Sequence, residues 1–221
     1  MNHQTPGYTL GFMAVLCLVF GTGVATVHYA TRDMLAANEQ LNHNRMVCAV
    51  FGLPVDGRAP ADYARAMTKT LETARVPDGR GGTRVLYRHA QADPPLMAFT
   101  FHGMGFWDRI EGVAAMTLDL ETMVRLRFLD HKETPGLGGR IEEPAFLDQF
   151  EGLQPDWSGP PDRRIVIGAD SGASARHRVD AVTGATQTST ALMRFLNEEL
   201  TRIRELDLDE VDFQPVKEAA P

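Results

Sequence analysis

The sequence predicts an α+β protein: a single N-terminal transmembrane helix, then one domain in which helices pack on a twisted, mostly antiparallel sheet. Three observations carry that prediction. Tyr8 to Ala30 is a run of 23 residues without Asp, Glu, Lys or Arg, long enough to cross a hydrocarbon core of about 30 Å as a helix. Strand-like runs follow in succession at residues 84–89, 96–102, 111–118 and 123–129. Towards the C-terminus, Leu192, Phe195, Leu196, Leu200, Ile203 and Leu206 recur at the i, i+3/i+4 spacing of an amphipathic helix.

The expected division is a short tail at residues 1–7, the membrane helix at 8–30, a connecting helix and linker at 31–60, the domain at 61–206 and an acidic tail at 207–221. A cleaved signal peptide is the rival reading of the apolar run. It requires a basic start and a small-residue exit, whereas residues 1–6 hold no Lys or Arg and Val27-His28-Tyr29-Ala30 suits cleavage poorly. A retained anchor fits better. Gly7, Gly11, Gly21 and Gly23 offer flat surfaces to a neighbouring membrane helix.

Ala36 to Leu53 continues as helix, and Asp56-Gly57-Arg58-Ala59-Pro60 turns the chain. Ala61 to Arg75 reads as one amphipathic helix, with Tyr63, Ala64, Met67, Leu71 and Ala74 on a face. Pro77-Asp78-Gly79-Arg80-Gly81-Gly82 breaks it before the first strand, and Asp93-Pro94-Pro95 separates that strand from the next. Ile141–Gly152 holds a short helix opened by Pro144, which turns Phe146, Leu147 and Phe150 inward. Residues 154–163 form a loop, 164–169 a strand and 170–178 a polar turn.

Composition excludes several functions. A net charge of −7 on 221 residues offers nothing to release counterions from a nucleic acid. Glu205, Asp207, Asp209, Glu210 and Asp212 read as a solvated end. Cys17 lies in the apolar run and Cys48 well beyond it, so a disulfide between them is not expected, and no cysteine set exists for haem or an iron–sulfur cluster. The histidines are scattered without metal-ligand spacing. Redox work by this chain therefore requires an organic cofactor.

Three loops concentrate chemistry. The first is His102-Gly103-Met104-Gly105-Phe106-Trp107-Asp108, whose aromatic pair taken alone is a core or hairpin-end feature. In His131-Lys132-Glu133-Thr134-Pro135-Gly136-Leu137-Gly138-Gly139, Pro135 and Gly136 stand where a type II turn requires them, and Gly138-Gly139 lets backbone approach a flat ligand. The third, Val179-Asp180-Ala181-Val182-Thr183-Gly184-Ala185-Thr186-Gln187-Thr188-Ser189, leads into the C-terminal helix, with Thr188 or Ser189 as its N-cap. A hydroxyl-rich cluster of this kind is an ordinary capping arrangement. It is also a seat for a phosphate, through the amides of Ala185 to Ser189 and the helix dipole.

Asp180-Ala181-Val182-Thr183-Gly184-Ala185-Thr186 resembles the D-x-x-S/T-G-A-T flavinylation motif of FMN-binding domains. Such domains occur in the C component of the sodium-pumping NADH:quinone reductase (Nqr) and the G component of the Rnf complex. Glu133-Thr134-Pro135-Gly136-Leu137-Gly138 is similar to a second mark of that family and precedes the first in the expected order. The Gly-x-Gly-aromatic-Trp loop is similar to one in the quinone-reductase component.

The resemblance implies FMN joined covalently to Thr186 through a phosphoester, attached by a separate flavin transferase that recognises Asp180. An Asx turn is the alternative role for Asp180. It further implies flavin contacts from Trp107, Glu133, Thr134, Gly136, Leu137, Gly138, Thr183, Gly184 and Ala185, with Trp107 beside the isoalloxazine ring and Leu137 over a ring face. The implied protein is a membrane-anchored electron-relay subunit of an ion-translocating oxidoreductase, without complete activity alone. Its partners would be the other Nqr- or Rnf-type membrane subunits, the transferase and the lipid bilayer. The domain would face the periplasm from the bacterial inner membrane. The basic residues point weakly the other way, since none precedes the helix while Arg32 and Arg45 follow it; long domains, however, translocate largely regardless of loop charge. No metal and no catalytic residue of its own are expected. Two other readings are a membrane-anchored structural, assembly or regulatory module with a vestigial flavin site, and a secreted carrier with a cleaved leader.

Overall fold

The structure is a computed structural model that describes residues 6–79, 81–169 and 172–216. The expected tail at 1–7 lies mostly outside these residues, as do Arg80, the first two residues of the 170–178 turn and the chain beyond Val216. The chain divides into two compact units, Met1–Asn42 and His43–Pro221.

Helix α1 runs without a break over Pro6–Phe51, about 70 Å at 1.5 Å per residue. It is long and apolar enough to cross a membrane, with a mean hydropathy of 2.2 over its most apolar 18-residue window, none of which is buried. Thr26 and Thr31 return their hydroxyls to the carbonyls of Thr22 and Val27, each at 2.8 Å. Their donors are thus satisfied without water, as hydrocarbon demands. Gly52, at φ +66°, ends the helix. The Leu53 N–H reaches Cys48 O at 2.9 Å and the Gly52 N–H reaches Ala49 O at 3.2 Å, the pair of bonds of a Schellman cap.

Within His43–Pro221, α2 (Pro60–Thr70) precedes five strands: β1 (Glu72–Pro77), β2 (Thr83–His89), β3 (Leu96–Met104), β4 (Arg109–Thr117) and β5 (Met123–Asp130). The expected single helix over 61–75 is therefore corrected. It stops at Thr70, and residues 72–77 pair antiparallel with β2. Leu71 and Ala74 are both buried, but in different layers. Leu71 caps α2 and packs with Met67, whereas Ala74 of β1 faces the layer of Phe99 and Leu196, since residues three apart point to opposite faces of a strand. After β5 come a short α3 (Pro144–Leu147) between 3₁₀ turns, the two-residue β6 (Val166–Ile167) and β7 (Arg178–Val179), α4 (Thr186–Arg204) and β8 (Gln214–Pro215). The expected strand at 164–169 contracts to β6, which pairs parallel with β7.

The main sheet has the order β5-β4-β3-β2-β1-β8, and every pairing in it is antiparallel. Alternation along its strands builds two cores. Met97, Phe99 and Phe101 of β3 join Ile110, Ala114 and Met116 of β4 in a layer with Phe146, Phe150, Leu192, Phe195, Leu196 and Leu200. The intervening Leu96, Ala98, Val113 and Ala115 face a second layer with Val47, Val50, Phe51 and Met67.

Buried polar groups fix α4 against its surroundings. Asn197 accepts from the Ile165 N–H at 2.8 Å and donates to Ile165 O and Asp162 O at 2.8 and 2.9 Å. Glu199 pairs with Arg84 of β2 at 2.6 Å, both side chains being almost wholly buried.

Glu205, Asp207, Asp209, Glu210 and Asp212 are all exposed, as a solvated end requires, but the segment that carries them is not a free tail. Leu206, Leu208 and Val211 pack on the core and Phe213 is buried within it, beneath the Arg88 guanidinium at 4.2 Å. Gln214 and Pro215 then pair with Thr73 and Glu72. Apolar residues interleaved with the acids hold the segment on the core, and its Gln214–Pro215 pair forms the edge of the sheet.

Candidate functional site

The β3–β4 hairpin end, the loop after β5 and the start of α4 meet around one solvent-open cleft of about 390 Å³, within the usual size range of ligand pockets. Phe106 and Trp107 come from the first, Glu133, Thr134, Leu137 and Gly138 from the second, and Gly184 to Thr188 from the third. A second cleft of about 420 Å³, lined by His102, Met104, Arg109, Arg194 and Phe195, gathers no such convergence of loops.

Each loop has a local cause. The Thr134 carbonyl accepts from the Leu137 N–H at 3.1 Å and the Gly139 N–H at 3.0 Å, with Gly136 at φ +75°. This is the geometry expected for Pro135 and Gly136 in a type II turn. The third loop repeats it: Ala185 N–H reaches Val182 O at 3.0 Å across Gly184 at φ +82°. In the first, Gly105 N–H bonds Asp108 O at 2.9 Å, and Asp108 in turn accepts from Lys132 at 2.9 Å. That hydrogen bond holds the Asp108 carboxyl below its ordinary range and raises the Lys132 ammonium above its own.

Helix α4 begins at Thr186, with Ala185 as N-cap. The expectation of Thr188 or Ser189 as the cap is corrected, since both hydroxyls act outside the helix. Ser189 Oγ accepts from the Val182 N–H at 3.2 Å, closing the turn before it. Thr188 Oγ1 donates to Glu133 Oε2 at 2.7 Å. The Ala185 and Ser189 amides are likewise engaged, by Val182 O and Ala185 O. The helix-start amides left for a phosphate are thus those of Thr186, Gln187 and Thr188, which precede the first i→i−4 bond.

Thr186 is exposed at the helix start, while Thr188 is 2% exposed. Leu137 and Trp107 are 48% and 64% exposed, and Trp107 meets Phe106 edge-on at 5.0 Å. Glu133 is buried, and its Oε1 accepts from the backbone N–H groups of Phe106 and Trp107 at 2.7 and 3.2 Å. With both its oxygens engaged, it is not a base poised on Thr186. Among the described residues no His, Cys, Asp and Glu cluster could hold a metal.

Of the residues singled out in the sequence, Trp107, Glu133, Thr134, Leu137, Gly138, Gly184, Ala185 and Thr186 line the cleft. Gly136 and Thr183 are not among the lining residues; they are exposed at the third and second positions of their turns. Asp180 stands apart, exposed, with its N–H donating to Gln149 Oε1 at 2.7 Å. The cleft is also lined by Phe106, Gln187 and Thr188, which sequence reasoning placed in the loops, the latter two through their amides alone, without making any of the three a flavin contact. Adjacency to Trp107 and Thr186 was the available signal for each.

The arrangement suits a flat, anionic ligand. Apolar faces stand at Leu137 and the aromatic pair, and an accessible hydroxyl sits at a helix start whose dipole favours negative charge. The FMN-binding domain family matches residues 105–201, which contain all three loop segments that line the cleft. The chain carries an FMN-binding domain.

The domain sits in a chain 27% identical over 229 aligned positions to NqrC, a component of the Na(+)-translocating NADH-quinone reductase, of Vibrio alginolyticus, covering 86% of this chain and 89% of that one. A relative of the same name from Pasteurella multocida is 34% identical over 163 positions, 67% of this chain and 62% of the relative. The crystal structure of NqrC from Parabacteroides distasonis superposes with a TM-score of 0.65 at 19% identity, over 77% of this chain and 93% of that one. This likeness shows that the FMN-binding domain shares the fold.

Proposed function

We propose that the chain is a membrane-anchored flavoprotein subunit that carries FMN esterified to Thr186 and relays electrons within a sodium-translocating NADH:quinone reductase. The single observation that carries the reading is the convergence of the exposed Thr186 hydroxyl with Trp107 and Leu137 on one cleft. The names of the relatives favour the quinone reductase over the Rnf complex.

The Thr186, Gln187 and Thr188 amides would hold the phosphate, Leu137 and Trp107 would cover the ring faces, and the Thr134 side chain would reach its polar edge. Bound FMN supplies the electron chemistry, and the chain's residues orient it and set its surroundings. A phosphodiester keeps one negative charge for the helix start to stabilise.

The chain has no base on Thr186 and no metal cluster among its described residues, so attachment falls to a transferase. In balanced form, the Thr186 Oγ1–phosphorus bond forms as the diphosphate bond of an activated flavin dinucleotide breaks. The nucleoside monophosphate leaves with the electron pair, and the hydroxyl proton passes to the transferase. The exposed Asp180 is the recognition element for that enzyme. The apolar stretch of α1 anchors the chain in the inner membrane, with the domain on the outer side. There a tether keeps the cofactor at high effective concentration, away from the cytoplasmic pool.

The test is flavin fluorescence of the denatured protein in a gel after coexpression with a flavin transferase. The band is expected to vanish for Thr186→Ala and to persist for Thr183→Ala. Loss only in Thr183→Ala would overturn the assignment, and a band absent from the wild type would favour a vestigial site.

A further inference from the structure

We infer that Glu133 is a positioning residue: its buried carboxylate locks the Phe106–Trp107 loop and the first turn of α4 into the attitude in which Trp107 and Thr186 serve one flavin. The inference rests on the flavin reading of Thr186. It assigns Glu133 a task other than the ligand contact that the sequence resemblance implies.

Three hydrogen bonds meet on this carboxylate, from the Phe106 and Trp107 amides and the Thr188 hydroxyl. They join segments 27 and 55 residues apart in sequence. A second observation is independent of these bonds. A Cβ on Gly138 would stand 2.6 Å from both Glu133 Oε2 and Thr188 Oγ1, and one on Gly105 would strike Glu133 Oε1 and Ile110. The chain leaves room for the carboxylate from two sides.

The chemistry of the group suits the task. An ionised carboxylate accepts several strong bonds at once, and its charge lies at the third residue of α4, where the helix dipole favours it. A cleft wall made only of exposed loops would drift. Anchoring the aromatic loop to the same atom group that holds the helix start fixes the separation of ring site and phosphate site, as preorganised sites require.

The experiment uses the full chain expressed with and without a flavin transferase, comparing wild type, Glu133→Ala, Glu133→Gln, Thr188→Val and Thr186→Ala. Without the transferase, amide hydrogen exchange at Phe106 and Trp107 is expected to accelerate about tenfold or more in Glu133→Ala, since those donors lose their acceptor. Glu133→Gln restores near-wild-type exchange, because the amide oxygen still accepts from both and the amide NH₂ donates to Thr188. Thr188→Val gives a smaller acceleration in a protein that keeps two of the three bonds. With the transferase, covalent flavin and its visible circular dichroism fall in Glu133→Ala and hold in Glu133→Gln. Wild-type exchange rates in Glu133→Ala, or equal losses in both Glu133 variants, would overturn the inference. Flavin retained in Thr186→Ala would defeat the attachment reading alone, leaving the exchange data to judge Glu133.

Discussion

Leu137 packs against the open face of Gly184, its Cδ2 lying 3.5 Å from where a Cβ on that glycine would stand. Two turns of one kind thus close on each other, Gly136 and Gly184 holding φ +75° and +82° at equivalent positions. Gly184→Ala forces an L side chain into the left-handed region, at about 1–2 kcal/mol. For a domain of this size that lowers Tm by about 2–8 °C in a thermal melt, and covalent flavin should fall with it.

Gly138 is constrained by space alone, since its φ is not positive and its neighbours are the Glu133–Thr188 pair. Gly138→Ala is expected to cost about 1–3 kcal/mol in urea unfolding, the range for overpacking a filled site. Gly136→Ala has open space around its Cβ and bears only the backbone term. Its flavin content should exceed that of Gly138→Ala.

The buried Asn197 has no polar atom to spare, as its oxygen and amide group are bonded to Ile165 and to the carbonyl of Asp162. Asn197→Ala strands the buried N–H and carbonyl of Ile165, at about 1–3 kcal/mol for each group left buried and unpaired, while the exposed Asp162 carbonyl can turn to water. Denaturant midpoints should fall without a change in slope, and the loop that delivers β6 should become protease-sensitive.

Tyr87 supplies the pH test. Burial pushes its phenol up to about 12, against an ordinary value of about 10. Above pH 10 the unfolded chain releases this proton and the folded one keeps it, so the stability is fully present below 10 and is lost as pH rises through 12. At about 1.4 kcal/mol per pH unit the loss reaches about 3 kcal/mol. Denaturation across that window should flatten in Tyr87→Phe relative to wild type.

The parts of the fold legible in the sequence were those whose periodicity admits one geometry. Met97, Phe99 and Phe101 alternate as a strand does, and the 23-residue run from Tyr8 is long enough to form a membrane-spanning helix. Ala74 was misread because a buried residue three positions after Leu71 continues a helical stripe by spacing, although here it lies on a strand that buries it in the opposite layer. Phe213 was hidden by the acids around it, although one aromatic outweighs several solvated charges when a sheet edge lies open. At the site, turn chemistry marked Pro135 and Gly136, whereas the matching turn at Gly184 was not read from the sequence. The capping role given to Thr188 failed for a tertiary reason. Its partner, Glu133, lies 55 residues away, and no local pattern encodes that bond.

Mass spectrometry of the tryptic peptide that contains Thr186, from cells that express a flavin transferase, tests the central claim most directly. The account predicts a peptide heavier by one FMN less one water, with fragmentation placing the addition on Thr186. An unmodified peptide, or the same addition on Thr183 or Thr188, would contradict it.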